Sequence, residues 1–238
     1  MNWVQLTRAA HAGLRVDPAL ALSACATVHM VPLTYGEIRR VASDFPVVLA
    51  KDAETGQFYP AALLGLEPHE NLYWNGARLA AEHVPLNLAR LPFGLGGADL
   101  AAAVICVDLD SPGIVAEGGA PIVEADGRES PYFAGVQATL GELAGQVAPT
   151  RAFIEAAVQA RLVVPIRLDI AFDNGSKAEL AGLYAIDEAA LLREIAGIDT
   201  ETAMVLAAMA LSIDRIGALV RRKNARLADA AVWFGADA

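Results

Sequence analysis

The sequence has little of what marks the specialised classes of protein. It contains only 2 cysteines, Cys25 and Cys106, which are too few and too far apart for a disulfide framework or a Cys-x-x-Cys metal or redox site. Charged residues interrupt its apolar stretches before they reach the length of a bilayer-spanning helix, and no export signal is visible at the N-terminus. We therefore expect a reduced, cytoplasmic protein without membrane insertion.

Positive charge is also scarce. The chain has 18 Lys and Arg against 28 Asp and Glu, a formal net charge of −10, and such a chain repels phosphate backbones as a whole. Nucleic acid is therefore not an expected partner. One basic cluster lies near the C-terminus and suits either a solvated helix face that complements the helix dipole or a docking surface for an acidic partner. The cluster comprises Arg215, Arg221, Arg222, Lys223 and Arg226.

Recognised catalytic motifs are missing too, including the Gly-x-Ser-x-Gly elbow and the Walker phosphate loop. Asp108 and Asp110 end an apolar run that predicts a strand, where two carboxylates two residues apart share a face and could hold magnesium. The turn residues that follow favour polar capping of the strand end instead. Cys25 and His29 would lie about 13 Å apart in a strand, which excludes a shared metal. We predict no catalytic set, no metal site and no cofactor.

The composition is rich in apolar residues but poor in aromatic ones. Hydrophobic residues make up 55% and aromatic residues 6%, so the core should consist mainly of Ala, Val, Leu and Ile. A chain of 238 residues can bury most of its apolar surface on folding. Intrinsic disorder is excluded on these grounds.

Apolar patterns predict the strands of the first half. We interpret 24–33 as a buried strand, followed by a short helix whose start at Thr34 and Glu37 has capping-box spacing. The runs 46–51 and 57–66, separated by Asp-Ala-Glu-Thr-Gly, predict an antiparallel hairpin. Residues 71–74 are expected to add a third strand, ending at a turn signal, Asn75-Gly76.

Helical periodicity dominates the second half. Ser130-Pro131 predicts a helix start, and the residues behind it predict one buried stripe: Phe133, Val136, Leu140, Leu143 and Val147. A second helix is expected to begin near Thr150, with Val158 on its inner side. Alternating residues predict a hairpin over 164–186, Asp187 can cap a short helix, and a long helix should start at Asp199 or Thr200.

Together these elements predict an α+β fold in a single domain, 1–238. A mainly antiparallel sheet built from hairpins should pack against several helices, including a long C-terminal helix. The strand-rich part covers 24–125 and the helix-rich parts cover 129–162 and 188–228, with the 164–186 hairpin between them.

Loop positions supply the candidate binding residues, because binding side chains concentrate in loops. His69, Glu70, Asn71 and His83 lie in or beside predicted loops. Asp108, or the His69 and Glu70 pair, could also serve an enzyme as acid, base or metal ligand.

Short landmarks distributed along nearly the whole chain resemble the bacterial SapC family, in order and approximate spacing. They are Val31-Pro32-Leu33, Phe45-Pro46-Val47-Val48, Leu63-Leu64-Gly65-Leu66, Glu70-Asn71-Leu72-Tyr73, Val84-Pro85, Arg90 with Pro92-Phe93, Cys106-Val107-Asp108, and Gly182-Leu183-Tyr184 with Ile186-Asp187. The chain departs from the family pattern at Arg78, His83, Ala89 and Leu91.

This resemblance implies an accessory role, since relatives look like companions of TonB-dependent receptors, tryptophan halogenases and cupin-like oxygenases. We expect a protein or peptide partner at a surface that includes Glu70, Asn71, His83 and Arg90, with Asp108 as a further binding candidate and self-association as an additional alternative. Two other functions stay open. One is an enzyme using Asp108 or His69 and Glu70; the other is a structural surface-layer component, as the family name suggests, although no export signal is visible.

Overall fold

The computed structural model describes residues 2–97 and 102–234, and hairpins and helices make up most of that chain. Its strands are β1 (Trp3–Gln5), β2 (Arg15–Val16), β3 (Met30–Pro32), β4 (Val47–Lys51), β5 (Phe58–Leu63), β6 (Phe93–Gly96), β7 (Val104–Asp108), β8 (Ile114–Val115), β9 (Ala120–Pro121), β10 (Val163–Ala171) and β11 (Lys177–Ile186). The described strands form three antiparallel sheets, with orders β1-β7-β6, β10-β11-β4-β5-β3 and β8-β2-β9.

Both predicted hairpins are present and together they build the five-stranded sheet. In the β4–β5 turn, Asp52 Oδ1 accepts hydrogen bonds from the N–H groups of Glu54 (3.1 Å) and Thr55 (2.8 Å). Leu183 and Tyr184 of β11 pair with Ala50 and Leu49 of β4, which joins the two hairpins. The sheet core is therefore made by residues far apart in sequence.

The α-helices are α1 (Arg8–His11), α2 (Pro18–Leu22), α3 (Ile38–Val41), α4 (Leu86–Ala89), α5 (Pro131–Gly145), α6 (Val147–Gln159), α7 (Glu188–Glu194), α8 (Thr200–Ser212) and α9 (Ile216–Phe234). The predicted caps hold: Ser130 Oγ accepts from Phe133 N–H (3.1 Å), and Asp187 and Asp199 cap α7 and α8. The α+β fold with a long C-terminal helix is confirmed. That helix is interrupted by a 3-10 turn at Ile213–Arg215.

The predicted strand over 24–33 is mostly wrong. Residues Ser23–Thr27 form a 3-10 helix that continues α2, and the strand is limited to Met30–Pro32. Asp17 caps α2 through the N–H groups of Ala19 and Leu20, so helical geometry is already set when the apolar run begins. A short apolar run cannot by itself distinguish a buried strand from a buried helical turn. The separation of Cys25 from His29 that strand geometry predicts therefore does not apply.

The predicted strand at 71–74 is wrong as well. The Asn71 side chain accepts hydrogen bonds from the N–H groups of Tyr73 (2.9 Å) and Trp74 (3.1 Å), which folds the segment into a turn. Only an isolated bridge joins Trp74 to Leu79.

Apolar residues of the helices complete two buried clusters. The main cluster packs α3, α6, α7 and α8 against the five-stranded sheet, and the second packs α5 against the sheet that contains Phe93 and Val107. Val147 does not extend the α5 stripe, because α6 begins there and leaves it 40% exposed. Val158, expected on the inner side of α6, is 42% exposed.

The expectation that charged residues keep every apolar stretch below bilayer-spanning length is wrong for the helical segment 200–230, which is long and apolar enough, by length and composition, to cross a bilayer. Core helices of soluble proteins share that property, and within the most apolar window 39% is buried. Leu206 and Met209 of α8 lie in the main cluster, each 1% exposed. The absence of membrane insertion stays a prediction.

Candidate functional site

The basic cluster begins at Arg215 in the 3-10 turn and continues along α9, and most of its side chains contact other parts of the molecule. Arg215 Nε donates to the carbonyl of Ala42 (2.9 Å), and the Arg222 guanidinium lies over the Tyr73 ring, 4.4 Å from its centroid. Arg226 Nη2 donates to the carbonyls of Asn71 (2.7 Å) and Trp74. Arg215, Arg221 and Arg226 are exposed, whereas Arg222 and Lys223 are half-buried. The prediction of a solvated face therefore holds for the first three, although Arg215 and Arg226 also donate hydrogen bonds to main-chain carbonyls.

Glu70 is part of the same contact. Its carboxylate accepts hydrogen bonds from Lys223 Nζ and from the N–H of Leu66 (3.1 Å), and Glu67 also accepts from Lys223 at 2.5 Å. The side chains of Lys223 and Glu70 are only 13% and 14% exposed. Burial lowers the pKa of Lys223, but the hydrogen bonds to the two glutamates outweigh it and leave that pKa raised. Glu70 thus holds α9 to the 67–74 segment.

Asn71 is 1% exposed, and both polar atoms of its side chain have hydrogen-bond partners. Besides the two N–H groups it accepts from, its Nδ2 donates to the carbonyl of Cys25 (2.9 Å). Burial raises the pKa of the Cys25 thiol to about 11, which favours the protonated thiol at neutral pH. A binding role for Glu70 and Asn71 stays a prediction, and the structure gives both of them internal partners.

Asp108 caps the end of β7. Its Oδ1 accepts from the N–H groups of Asn2 (2.7 Å) and Asp110 (3.2 Å). In the described ranges, no three His, Cys, Asp or Glu side chains gather in a way that could hold a metal. Polar capping of the strand end accounts for the hydrogen bonds that Asp108 accepts.

His83 forms a dyad with Asp44. Asp44 Oδ2 lies 2.9 Å from His83 Nδ1 and accepts the His83 backbone N–H at 2.9 Å. Ser43 Oγ lies 3.4 Å from the same Nδ1 and donates to the carbonyl of Arg40. Because serine and aspartate both contact one ring nitrogen, the three do not form a relay in which His83 activates Ser43. His83 lines a cavity of about 210 Å³ that also includes Glu37.

Glu37 joins this cavity to the start of α4. It is 2% exposed, and its carboxylate accepts from the N–H groups of Thr34 (2.9 Å) and Leu86 (2.7 Å). The predicted capping box is thus present and has a second, long-range partner. Burial raises the pKa of Glu37, and the hydrogen bonds that oppose this shift do not cancel it.

We expect Glu37→Gln to become more stable relative to the parent protein as pH rises. Because the folded-state pKa of Glu37 lies above its unfolded value, its favourable contribution is complete below the unfolded pKa and is lost as pH rises through the folded pKa. Urea unfolding from about pH 4 to about pH 8 measures this difference. The exposed Glu54→Gln variant controls for loss of one carboxylate. A difference that stays constant with pH contradicts the expectation.

An open groove of about 490 Å³ lies between α6 and residues 56–59 of the β4–β5 hairpin; we call it the α6 groove. Its apolar walls are Leu33, Phe58, Tyr59, Val147, Ile154 and Val158. Large apolar side chains are left accessible here, which is the arrangement of an interaction site rather than of a core. Sequence reasoning missed this groove because it placed Val147 and Val158 on buried faces.

The groove also borders an open strand edge. The β5 strand pairs with β4 from Phe58 onward, but with β3 only from Ala61. Leu33 N–H donates to the Pro60 carbonyl (2.8 Å), so Pro60 faces the β3 side. Alternate residues of an antiparallel strand direct their peptide groups to one side, so those of Phe58 face the same side, beyond the end of β3. No described strand pairs with β5 at Phe58 on that side.

A second cavity, of about 270 Å³, adjoins the α6 groove, since Thr34 and Val147 line both. Arg90 lines it together with Asn87 and Leu95; we call it the Arg90 cavity. Of the predicted binding residues, Arg90 therefore lies in the cavity next to the α6 groove, and His83 lines the cavity on the Glu37 side. Glu70 and Asn71 contact α9 instead.

Comparison with known proteins identifies a family and no characterised relative. The SapC family model matches residues 6–203 of the chain. No curated protein and no solved structure matches significantly.

Proposed function

This chain belongs to the SapC family, and we propose that it is a binding protein that holds a protein or peptide partner in the α6 groove. The observation that carries the proposal is the open apolar groove beside an unpaired strand edge. At about 490 Å³ the groove falls within the usual size range of ligand sites. Its exposed walls offer apolar area to a partner without any rearrangement of the core.

The strand edge favours an extended peptide segment as the bound element. A peptide that pairs with an open edge gains main-chain hydrogen bonds, while pockets beside the edge accept alternate side chains. Phe58 supplies the peptide groups, and Val147 and Val158 supply apolar contacts from α6. A partner protein could present such a segment as a strand or a terminal tail.

The contacts of Glu70 and Asn71 give them a supporting part in this proposal. They fix the 67–74 segment to α9 and so stabilise the domain that carries the groove. Arg90 remains at the site itself. We place the partner in the systems that the family resemblance implies, those of TonB-dependent uptake and tryptophan-halogenase-like enzymes, and the protein in the cytoplasm.

A photo-crosslinking amino acid at position 158 should capture the partner in cells that naturally produce the protein. Val158 is 42% exposed on the groove wall, so the replacement is tolerated and the probe faces the bound segment. The measurement is a crosslinked product of discrete mass, identified by mass spectrometry. Adding Val147→Asp to the same chain should reduce its yield about ten-fold, because it buries a charge against the partner.

Position 192 provides the matched control. Leu192 is 65% exposed on α7 and does not line the groove, so a probe there should not give the same product. Equal capture from both positions, or none from position 158, contradicts the proposal. A product of about twice the chain mass of 24.9 kDa indicates self-association instead.

A further inference from the structure

Arg90 has unused hydrogen-bonding capacity in the Arg90 cavity. Its Nε donates to Asn87 Oδ1 (3.0 Å) and its Nη1 donates to the Phe93 carbonyl (2.6 Å). Over the described residues, Nη2 has no hydrogen-bond partner and no carboxylate forms an ion pair with this guanidinium. Two fixed donors therefore orient the group while a third remains available.

The surroundings of Arg90 favour an incoming anion. Burial lowers the pKa of Arg90, and within residues 2–97 and 102–234 no carboxylate pairs with its guanidinium. A carboxylate bound to Nη2 would supply that counter-charge, and arginine is well suited to planar carboxylates. A cation without an ion-pair partner in the described part of the chain is notable in a protein of net charge −10.

We propose that the peptide bound in the α6 groove carries a carboxylate that Arg90 binds in the Arg90 cavity. This inference rests on the proposed function and names the chemistry of the ligand. The carboxylate is either the peptide C-terminus or an Asp or Glu side chain. The adjoining residues are apolar and extended, since they run past Val147 and Val158 toward the edge at Phe58.

The dimensions of the groove set the length of this segment. The helix α6 runs from Val147, shared with the Arg90 cavity, to Gln159 at the far end of the groove. Its 13 residues span about 20 Å at the helical rise, which an extended chain covers with about six residues. A hexapeptide with its carboxylate at the Val147 end therefore fits.

A fatty acid shares the apolar chain and the carboxylate but fits less well. An acyl chain lying along the groove would cover the peptide groups of Phe58 without hydrogen-bonding to them, and unpaired buried peptide groups are costly. The strand edge therefore favours a peptide.

Affinity selection on the full chain tests the inference. Three pools of hexapeptides share five positions randomised over Val, Ile, Leu, Thr and Phe. The pools end in a leucine free acid, a leucine amide or a glutamate amide. Peptides retained by the purified protein are quantified by mass spectrometry, in parallel for the parent chain, Arg90→Gln, and Arg128→Gln as a surface arginine control with a side chain 85% exposed.

We expect at least one carboxylate pool to be retained about ten-fold or more above the leucine amide pool, as a charged hydrogen bond would give. Arg90→Gln should abolish this preference and Arg128→Gln should preserve it. Which of the two carboxylate pools is enriched identifies the source of the carboxylate. Because Arg90→Gln could also disturb folding, Leu95→Asp serves as a second variant: Leu95 is 38% exposed in the same cavity, and its negative charge should repel the carboxylate.

Three results overturn the inference in distinguishable ways. If the parent and Arg90→Gln retain all pools equally, Arg90 does not recognise a carboxylate. Peptide binding in the groove is not contradicted by that result. If the parent chain retains no pool better than the Val158→Asp variant does, the groove is not a peptide site and the proposed function is wrong. Binding of dodecanoate without retention of any pool identifies a fatty-acid site.

Discussion

Lys223→Met should lower the free energy of unfolding by about 3 kcal/mol, because it leaves buried carboxylate charge without its cation. Lys223 is enclosed between Glu67 and Glu70, and the Glu70 side chain is only 14% exposed. Methionine keeps the unbranched side chain and helix propensity, so the change isolates the lost charge. Urea unfolding at neutral pH measures the effect.

Arg221→Met is the matched control for this substitution. Arg221 lies on the same helix but is exposed, so its replacement should change the free energy of unfolding by less than about 0.5 kcal/mol. Adding Glu70→Gln to Lys223→Met should recover part of the loss, since the unpaired charge is then removed. Equal effects of Lys223→Met and Arg221→Met would show that the contact with Glu70 does not stabilise the protein.

This prediction also defines what α9 contributes to the domain. The family match ends at residue 203, whereas Arg215, Arg222, Lys223 and Arg226 all lie beyond it. Their partners, between Ala42 and Trp74, lie inside the matched region. The C-terminal helix thus lies outside the residues that the family model matches, and its contacts stabilise those residues.

Sequence patterns correctly predicted the helices and strands that are determined by residues close together in the chain. The β4–β5 hairpin follows from two apolar runs joined by a turn that Asp52 closes, and the start of α5 follows from Ser130-Pro131. Each prediction depends on residues within a few positions of one another, where propensity and capping act. These parts of the fold are confirmed.

Predictions failed where distant residues decide the outcome. The internal contacts of the basic cluster are not visible in the sequence, because nothing local shows that the 42–74 segment presents carbonyls and carboxylates to it. Val158 has the periodicity of a buried residue, but helical period identifies a face and not what covers it. Arg90 was chosen from the family resemblance, whereas the α6 groove beside it could be found only from the packing of α6 on the hairpin.

Asn71 is the residue at which a structural and a binding role make opposite predictions. Its side chain satisfies the N–H groups of Tyr73 and Trp74 and the carbonyl of Cys25, and it is 1% exposed. Asn71→Ala leaves all three groups in a buried site without this partner. Each unsatisfied buried group costs roughly 1 to 3 kcal/mol, and partial relaxation should bring the total loss to about 3 kcal/mol.

Asn75→Ala controls for the loss of an asparagine turn in the same loop. Asn75 Oδ1 likewise accepts from two N–H groups, those of Ala77 (3.0 Å) and Arg78 (2.9 Å), but in an exposed position where water can replace it. Its replacement should cost about 1 kcal/mol or less. If Asn71→Ala proves as mild as Asn75→Ala and yet abolishes crosslinking from position 158, then Asn71 acts in partner binding, and its internal hydrogen bonds are not what the position requires.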